Sequence, residues 1–221
     1  MKKILQGIAF AVCLFGLLGC QNVRKTSKGV TVSADKMNIV QVGVDNPLSL
    51  TLFGIEQEDI LVEASGAGAT LRAGSNSLNY ILNVEQHGEA TITVREKKSK
   101  SILGTFKFRS QRLPDPIIHM GNKRGGSMGV QELRAQLGLS APFENIGIDS
   151  KCTITSFTLY HKPHNELPKE YESESGRFQG EVLAVVKNAQ QHDQYHFYNI
   201  RVRCPGDKAS RPLHSIAFFV R

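Results

Sequence analysis

Val32-Ser-Ala-Asp-Lys-Met-Asn-Ile-Val-Gln-Val-Gly-Val-Asp-Asn-Pro-Leu-Ser-Leu-Thr-Leu52 is the stretch on which the fold reading turns. Val40, Val42 and Val44 alternate with Gln41 and Gly43, the period of two that marks a half-buried strand. Asp45-Asn46-Pro47 breaks the run, because Asp and Asn close local side-chain turns and Pro cannot donate to a ladder. Leu48, Leu50 and Leu52 then resume the alternation against Ser49 and Thr51. The pattern predicts a β-hairpin that opens a sandwich domain.

The same rhythm continues to Phe108. Short apolar runs at Ile60–Val62, Ala69–Leu71, Tyr80–Val84 and Ala90–Val94 are separated by Gly66, Gly68 and His87-Gly88. Glu96-Lys97-Lys98-Ser99-Lys100 is a charged hairpin tip, and Phe106-Lys107-Phe108 closes the unit. Leu113-Pro114-Asp115-Pro116 follows as a stiff connector, since two prolines fix φ and hold their neighbours extended.

Beyond the connector, Gly121-Asn-Lys-Arg-Gly-Gly-Ser127 has the glycine spacing of a phosphate loop. It lacks the lysine before Ser127 that would reach the terminal phosphates. It reads as a tight turn carrying two exposed cations, Lys123 and Arg124. Val130, Leu133 and Leu137 recur at helical spacing with Gly138 placed to stop them, so Gly129–Leu137 is predicted as the one short helix. In strand Lys151–Tyr160, Cys152 and Ile154 are out of phase with Phe157 and Leu159, which calls for a β-bulge near Thr155-Ser156. Strands are predicted over Arg177–Lys187, Tyr195–Cys204 and Leu213–Val220. The fold class that results is mainly β, two Ig-like β-sandwich domains in tandem over residues 30–111 and 112–221, the second with one short helix.

The front of the chain is not fold. Lys2-Lys3, a short apolar stretch and Leu17-Leu18-Gly19-Cys20 resemble a lipoprotein signal over residues 1–19, with cleavage before Cys20 and acylation of that residue. The other reading is an ordinary secretory signal with an incidental cysteine. Residues 20–29 are polar and basic, a flexible tether. Gln21 is not the Asp that resembles an inner-membrane retention signal, and no acidic run follows Cys20. The expected address is therefore the outer membrane, lipid-anchored and facing the periplasm.

Charge excludes one class of partner. The chain carries 27 Lys+Arg against 20 Asp+Glu, net +7, but dispersed and without a basic helix or stacking aromatics, so no nucleic acid is expected. Of four cysteines, Cys13 lies in the signal and Cys20 is the lipid site. Cys152 and Cys204 remain, each on a core-facing strand position in an oxidising compartment, and are expected to bridge; two buried thiols are the alternative.

The wording of Val32–Leu50 ("VSADKMNIV…GVDNPLSL"), the Pro114-Asp115-Pro116 element, the Gly/Lys-rich loop after it and Ser156-Phe157 resemble the C-terminal periplasmic region of the GldM/PorM family of gliding motility and type IX secretion. The resemblance implies a non-enzymatic protein-binding and assembly module, with protein partners in the cell envelope. By analogy it also implies a homodimer, an outer-membrane-associated lipoprotein ring as partner, and Lys123 and Arg124 as partner-binding residues. No catalytic residue, cofactor or metal is expected. His161, His164, His192 and His196 carry the competing reading, a periplasmic enzyme or metal-binding protein. A ligand-binding adhesin-like sandwich is the third.

Overall fold

The computed structural model describes residues 28–34, 38–144 and 150–221, so the expected signal over 1–19, Cys20 and nearly all of the expected tether lie outside the described residues. The first unit is built from β1 (Gly29–Ala34), β2 (Ile39–Gln41), β3 (Asn46–Phe53), β4 (Ile60–Ser65), β5 (Thr70–Ala73), β6 (Asn79–Asn83), β7 (Gly88–Glu96) and β8 (Ile102–Gln111). They form two four-stranded sheets, ordered β1-β3-β6-β5 and β2-β8-β7-β4. Alternate residues of both sheets, among them Val40, Leu48, Leu50, Leu82, Ile92 and Phe108, fill one core between them.

The opening hairpin is not formed. β2 runs parallel to β8, with Ile39 opposite Arg109 and Gln41 opposite Gln111. β3 instead pairs with β1, Val32 opposite Leu50, and with β6. The chain therefore arches from one sheet to the other between Gln41 and Asn46. Both arms alternate because both face the same core, and alternation alone does not say which edge each arm meets. Asn46 closes the arch. Its Oδ1 accepts the Gln41 N–H at 2.7 Å, and its Nδ2 donates to the carbonyls of Gln41, Val44 and Leu82 at 2.9, 3.0 and 3.1 Å.

The second unit contains β9 (His119–Met120), β10 (Gly126–Met128), α1 (Val130–Arg134), β11 (Leu139–Pro142), β12 (Lys151–Lys162), β13 (Lys169–Ser173), α2 (Gly180–Lys187), β14 (Gln194–Arg203), β15 (Arg211–Pro212) and β16 (Ile216–Val220). The sheet runs β10-β16-β14-β12-β11-β9, with β13 beside β12 and β15 beside β14. A second, separate core lies under it, closed by Leu133 of α1 and by Val182 and Val186 of α2. Phe178 stacks on Phe197 at 5.7 Å, and Phe157 meets both rings edge-on at 6.0 and 5.5 Å. Such pairs add roughly 0.5–1.5 kcal/mol each beyond the area they bury.

Several sequence expectations are met and others are corrected. The bulge in β12 falls at Ile154–Thr158, and it puts Cys152, Ile154, Phe157 and Leu159 on one buried face. The expected strand Arg177–Lys187 is instead the helix α2, so the second unit has two helices. Its Val-Leu-Ala-Val-Val run reads as strand, yet Val182, Val186 and Ala189 recur at i, i+4 and i+7 and are the buried positions. The predicted single helix is α1, shortened to five residues. In β14 Tyr198 does not share the face of Ile200 and Val202. Asn199 takes φ 51, and the irregularity there turns Tyr198 outward.

The joint between the units is tied from both sides. Arg211, with only 7% of its side chain exposed, donates from Nη1 to the Leu113 carbonyl at 2.9 Å and to Asp115 Oδ1 at 2.8 Å. Its Nε lies 3.0 Å from Asp207 Oδ2, at ion-pair range but too bent for a hydrogen bond, and the same oxygen accepts the Cys204 N–H at 2.9 Å. Gly43 and Gly206, at φ 78 and 76, bring the two units into backbone contact: a Cβ on Gly206 would lie 2.7 Å from the Val42 carbonyl oxygen. Only glycine fits such a meeting of two left-handed turns.

Candidate partner-binding surface and the histidine cluster

The Gly-rich turn links β9 to β10. Gly121, Gly125 and Gly126 all take positive φ, and Met120 and Lys123 bridge its base with backbone hydrogen bonds of 2.9 and 3.2 Å. The two cations expected to stand free do not. Lys123 Nζ binds Glu132 Oε2 at 2.9 Å and the Ser127 carbonyl at 3.1 Å. Arg124 pairs with Glu144, whose other oxygen lies 2.9 Å from His119 Nε2. The Lys123 hydrogen bond holds the Glu132 carboxyl below its usual range. Lys123 therefore latches the turn to α1, and Arg124 latches it to the segment after β11. Arg124 keeps 58% of its side chain exposed, so a second carboxylate can still reach its guanidinium.

The disulfide is present. Cys152 of β12 is bridged to Cys204, the residue just past the end of the adjacent strand β14, and both residues are buried. Neither thiol is then available as a nucleophile or a metal ligand.

Three of the four histidines gather at one end of the second unit, around Asp193, a residue that the sequence reading passed over. Asp193 is 4% exposed. Its Oδ1 accepts the backbone N–H of His164 at 3.1 Å, and its Oδ2 accepts the Gln190 N–H at 2.9 Å and lies 3.4 Å from His161 Nε2. The His161 ring packs on Tyr195 at 4.6 Å, and His164 faces His192 at 4.9 Å. His196 lies apart, beside Tyr198 at 5.5 Å. Burial lowers the His161 pKa, with Asp193 opposing that shift, and burial raises that of the Tyr195 hydroxyl, which donates to the Val185 carbonyl at 3.2 Å. Asp193 is thus a clamp that joins the turn before β14 to the loop after β12. Its signal in the sequence was an Asp just ahead of a strand, able to fold its side chain onto nearby backbone N–H groups. Among the described residues no group of three His, Cys, Asp or Glu is placed to hold a metal ion.

Comparison with protein-family models gives two matches. The GldM third domain covers residues 29–111 and the GldM C-terminal domain covers 114–220. The chain belongs to the GldM family. GldM-family proteins belong to gliding motility and type IX secretion, and the two matches meet at the Pro114-Asp115-Pro116 joint that Arg211 ties down. Comparison with curated proteins returns no match. Among solved structures, domains 6–7 of the surface-layer protein SbsC align at 10% identity and TM-score 0.30, over 87% of this chain and 98% of that one. Fibronectin(III)-like modules of Clostridium thermocellum CbhA align at 12% and 0.25, over 86% and 94%. The Yersinia pseudotuberculosis adhesin InvE aligns at 12% and 0.28, over 86% and 58%. At those scores they carry no functional argument, the adhesin-like reading included.

Proposed function

We propose that this GldM-family chain is a non-enzymatic, lipid-anchored module that holds protein partners in the cell envelope, in service of gliding motility or type IX secretion. The observation that carries the reading is the pair of adjoining family matches over 29–111 and 114–220, set behind the Leu17-Leu18-Gly19-Cys20 motif. Cys20 would place the chain on the outer membrane facing the periplasm. A homodimer, and an outer-membrane-associated lipoprotein ring as partner, complete the proposal. The Lys123/Arg124 turn is the proposed contact. Arg124 is its reaching group, and Lys123 holds the turn in shape.

The competing enzyme reading would have to live at the Asp193 cluster, because three histidines meet there. Changing His164, His192 and His196 to Ala and His161 to Gln together removes every imidazole from the set while leaving a polar group beside Asp193. The module reading expects the variant to restore gliding or secretion to a deletion strain as the wild type does. Loss of complementation by a variant that still folds and reaches the membrane would transfer the function to the histidines.

A further inference from the structure

The first unit has two poles. The joint to the second unit is at one, and the chain enters from the tether at the other. At the entry pole Gly29 pairs with Phe53 on one side. On the other side β1 lies against β8: a Cβ on Gly104 would lie 2.8 Å from Val30 Cγ1. The entering strand therefore threads between the end of β3 and the start of β8, and those ends expose two large apolar side chains, Phe53 at 53% and Ile102 at 56%. Scattered exposed apolar residues are ordinary on a protein surface. Two that flank the point where a tether arrives are not scattered.

The charges around them are partly paired. Lys28 pairs with Glu96 at 2.5 Å and Lys98 with Asp59 at 3.3 Å, while Lys97 Nζ donates to the Glu58 carbonyl at 2.7 Å. The pole thus presents apolar side chains rimmed by long lysines, two of them ion-paired and Lys97 resting on a backbone carbonyl, whose stems can lie along a headgroup layer while their ammonium groups stay in water. The chain between Cys20 and Lys28 spans at most about 28 Å at full stretch. A lipid on Cys20 would therefore hold this pole beside the bilayer at high effective concentration, where weak contacts become populated.

We infer that the Phe53/Ile102 pole is a membrane-docking surface that rests on the lipid bilayer carrying the anchor and points the second unit away from it. The inference rests on the lipid-anchor part of the proposed function. Docking rests on the two apolar side chains, and the lysine rim adds an electrostatic part that salt weakens. The lack of tryptophan in the chain gives a clean test. F53W and I102W each place a single reporter at the pole, and F219W places one on the second unit, where Phe219 is 51% exposed. The full-length protein from membranes is reconstituted into phosphatidylethanolamine/phosphatidylglycerol vesicles with and without brominated lipid. F53W and I102W should lose roughly half their emission to brominated lipid, while F219W keeps its own. Protein that floats with the vesicles but shows no quenching at either pole position overturns the docking surface and leaves the anchor standing. So does F219W quenched as strongly as F53W, and so does a pole that instead contacts a protein. Protein that fails to float overturns the anchor and this inference together.

Discussion

Arg211→Ala is expected to lower stability by about 3 kcal/mol, since removing one member of a buried ion pair leaves the other uncompensated. Asp207 would keep its carboxylate at 3% side-chain exposure with the Cys204 N–H as its remaining partner. The Leu113 carbonyl would lose its donor in the same step. For a chain of this size the loss corresponds to a Tm drop of roughly 6–12 °C. Hydrogen exchange should quicken around residues 113 and 115, because the connector then loses its buried polar tie and keeps its prolines, the buried Leu113 side chain and the exposed Arg112–Asp115 pair. A thermal scan of Arg211→Ala within about a degree of wild type would show that the joint is held by something other than this guanidinium.

The second large effect belongs to the disulfide. Cys152→Ser with Cys204→Ser opens a loop closed over a separation of 52 residues. The chain-entropy account sets the loss at roughly 4 kcal/mol, nearly all through the unfolded state. The folded variant should therefore look native by circular dichroism yet unfold at markedly lower denaturant. Both cysteines are buried, so reductant should act on the wild type only as it unfolds. Non-reducing peptide mapping should recover the linked pair. Full alkylation of both thiols on unfolding without reductant would contradict the bridge.

Local periodicity made the strand positions legible, and the family resemblance supplied the rest of the sequence reading. The β12 bulge was recoverable from Cys152/Ile154 falling out of phase with Phe157/Leu159, because a buried face leaves a phase mark on the sequence. Three kinds of feature left no such mark. The partner of β2 is decided 70 residues away, at Arg109–Gln111, and nothing in Val40-Gln41-Val42 distinguishes a hairpin from an arch. The run Val182–Val186 satisfies helix and strand templates alike, and only packing on the second core settles it. Edge strand β13, Lys-Glu-Tyr-Glu-Ser, has one apolar residue and owes its conformation to pairing with β12. The candidate surface divides the same way. Lys123 and Arg124 were visible as cations on a glycine turn, but Glu132 and Glu144, which engage them, lie 9 and 20 residues on. A charge reversal there would set like charges against both carboxylates, so neutral substitutions are the cleaner probe.

The central claim, a GldM-family module acting through protein contacts in the envelope, is tested most directly by crosslinking in intact cells at native expression, followed by mass spectrometry. Wild type is compared with Lys123→Ala/Arg124→Ala. The account predicts that wild type crosslinks to envelope proteins of the gliding or type IX secretion apparatus through the second unit, and that the double variant loses most of those links. Wild type that links to no component of the apparatus, or a variant that links to it as fully as wild type does, would contradict it.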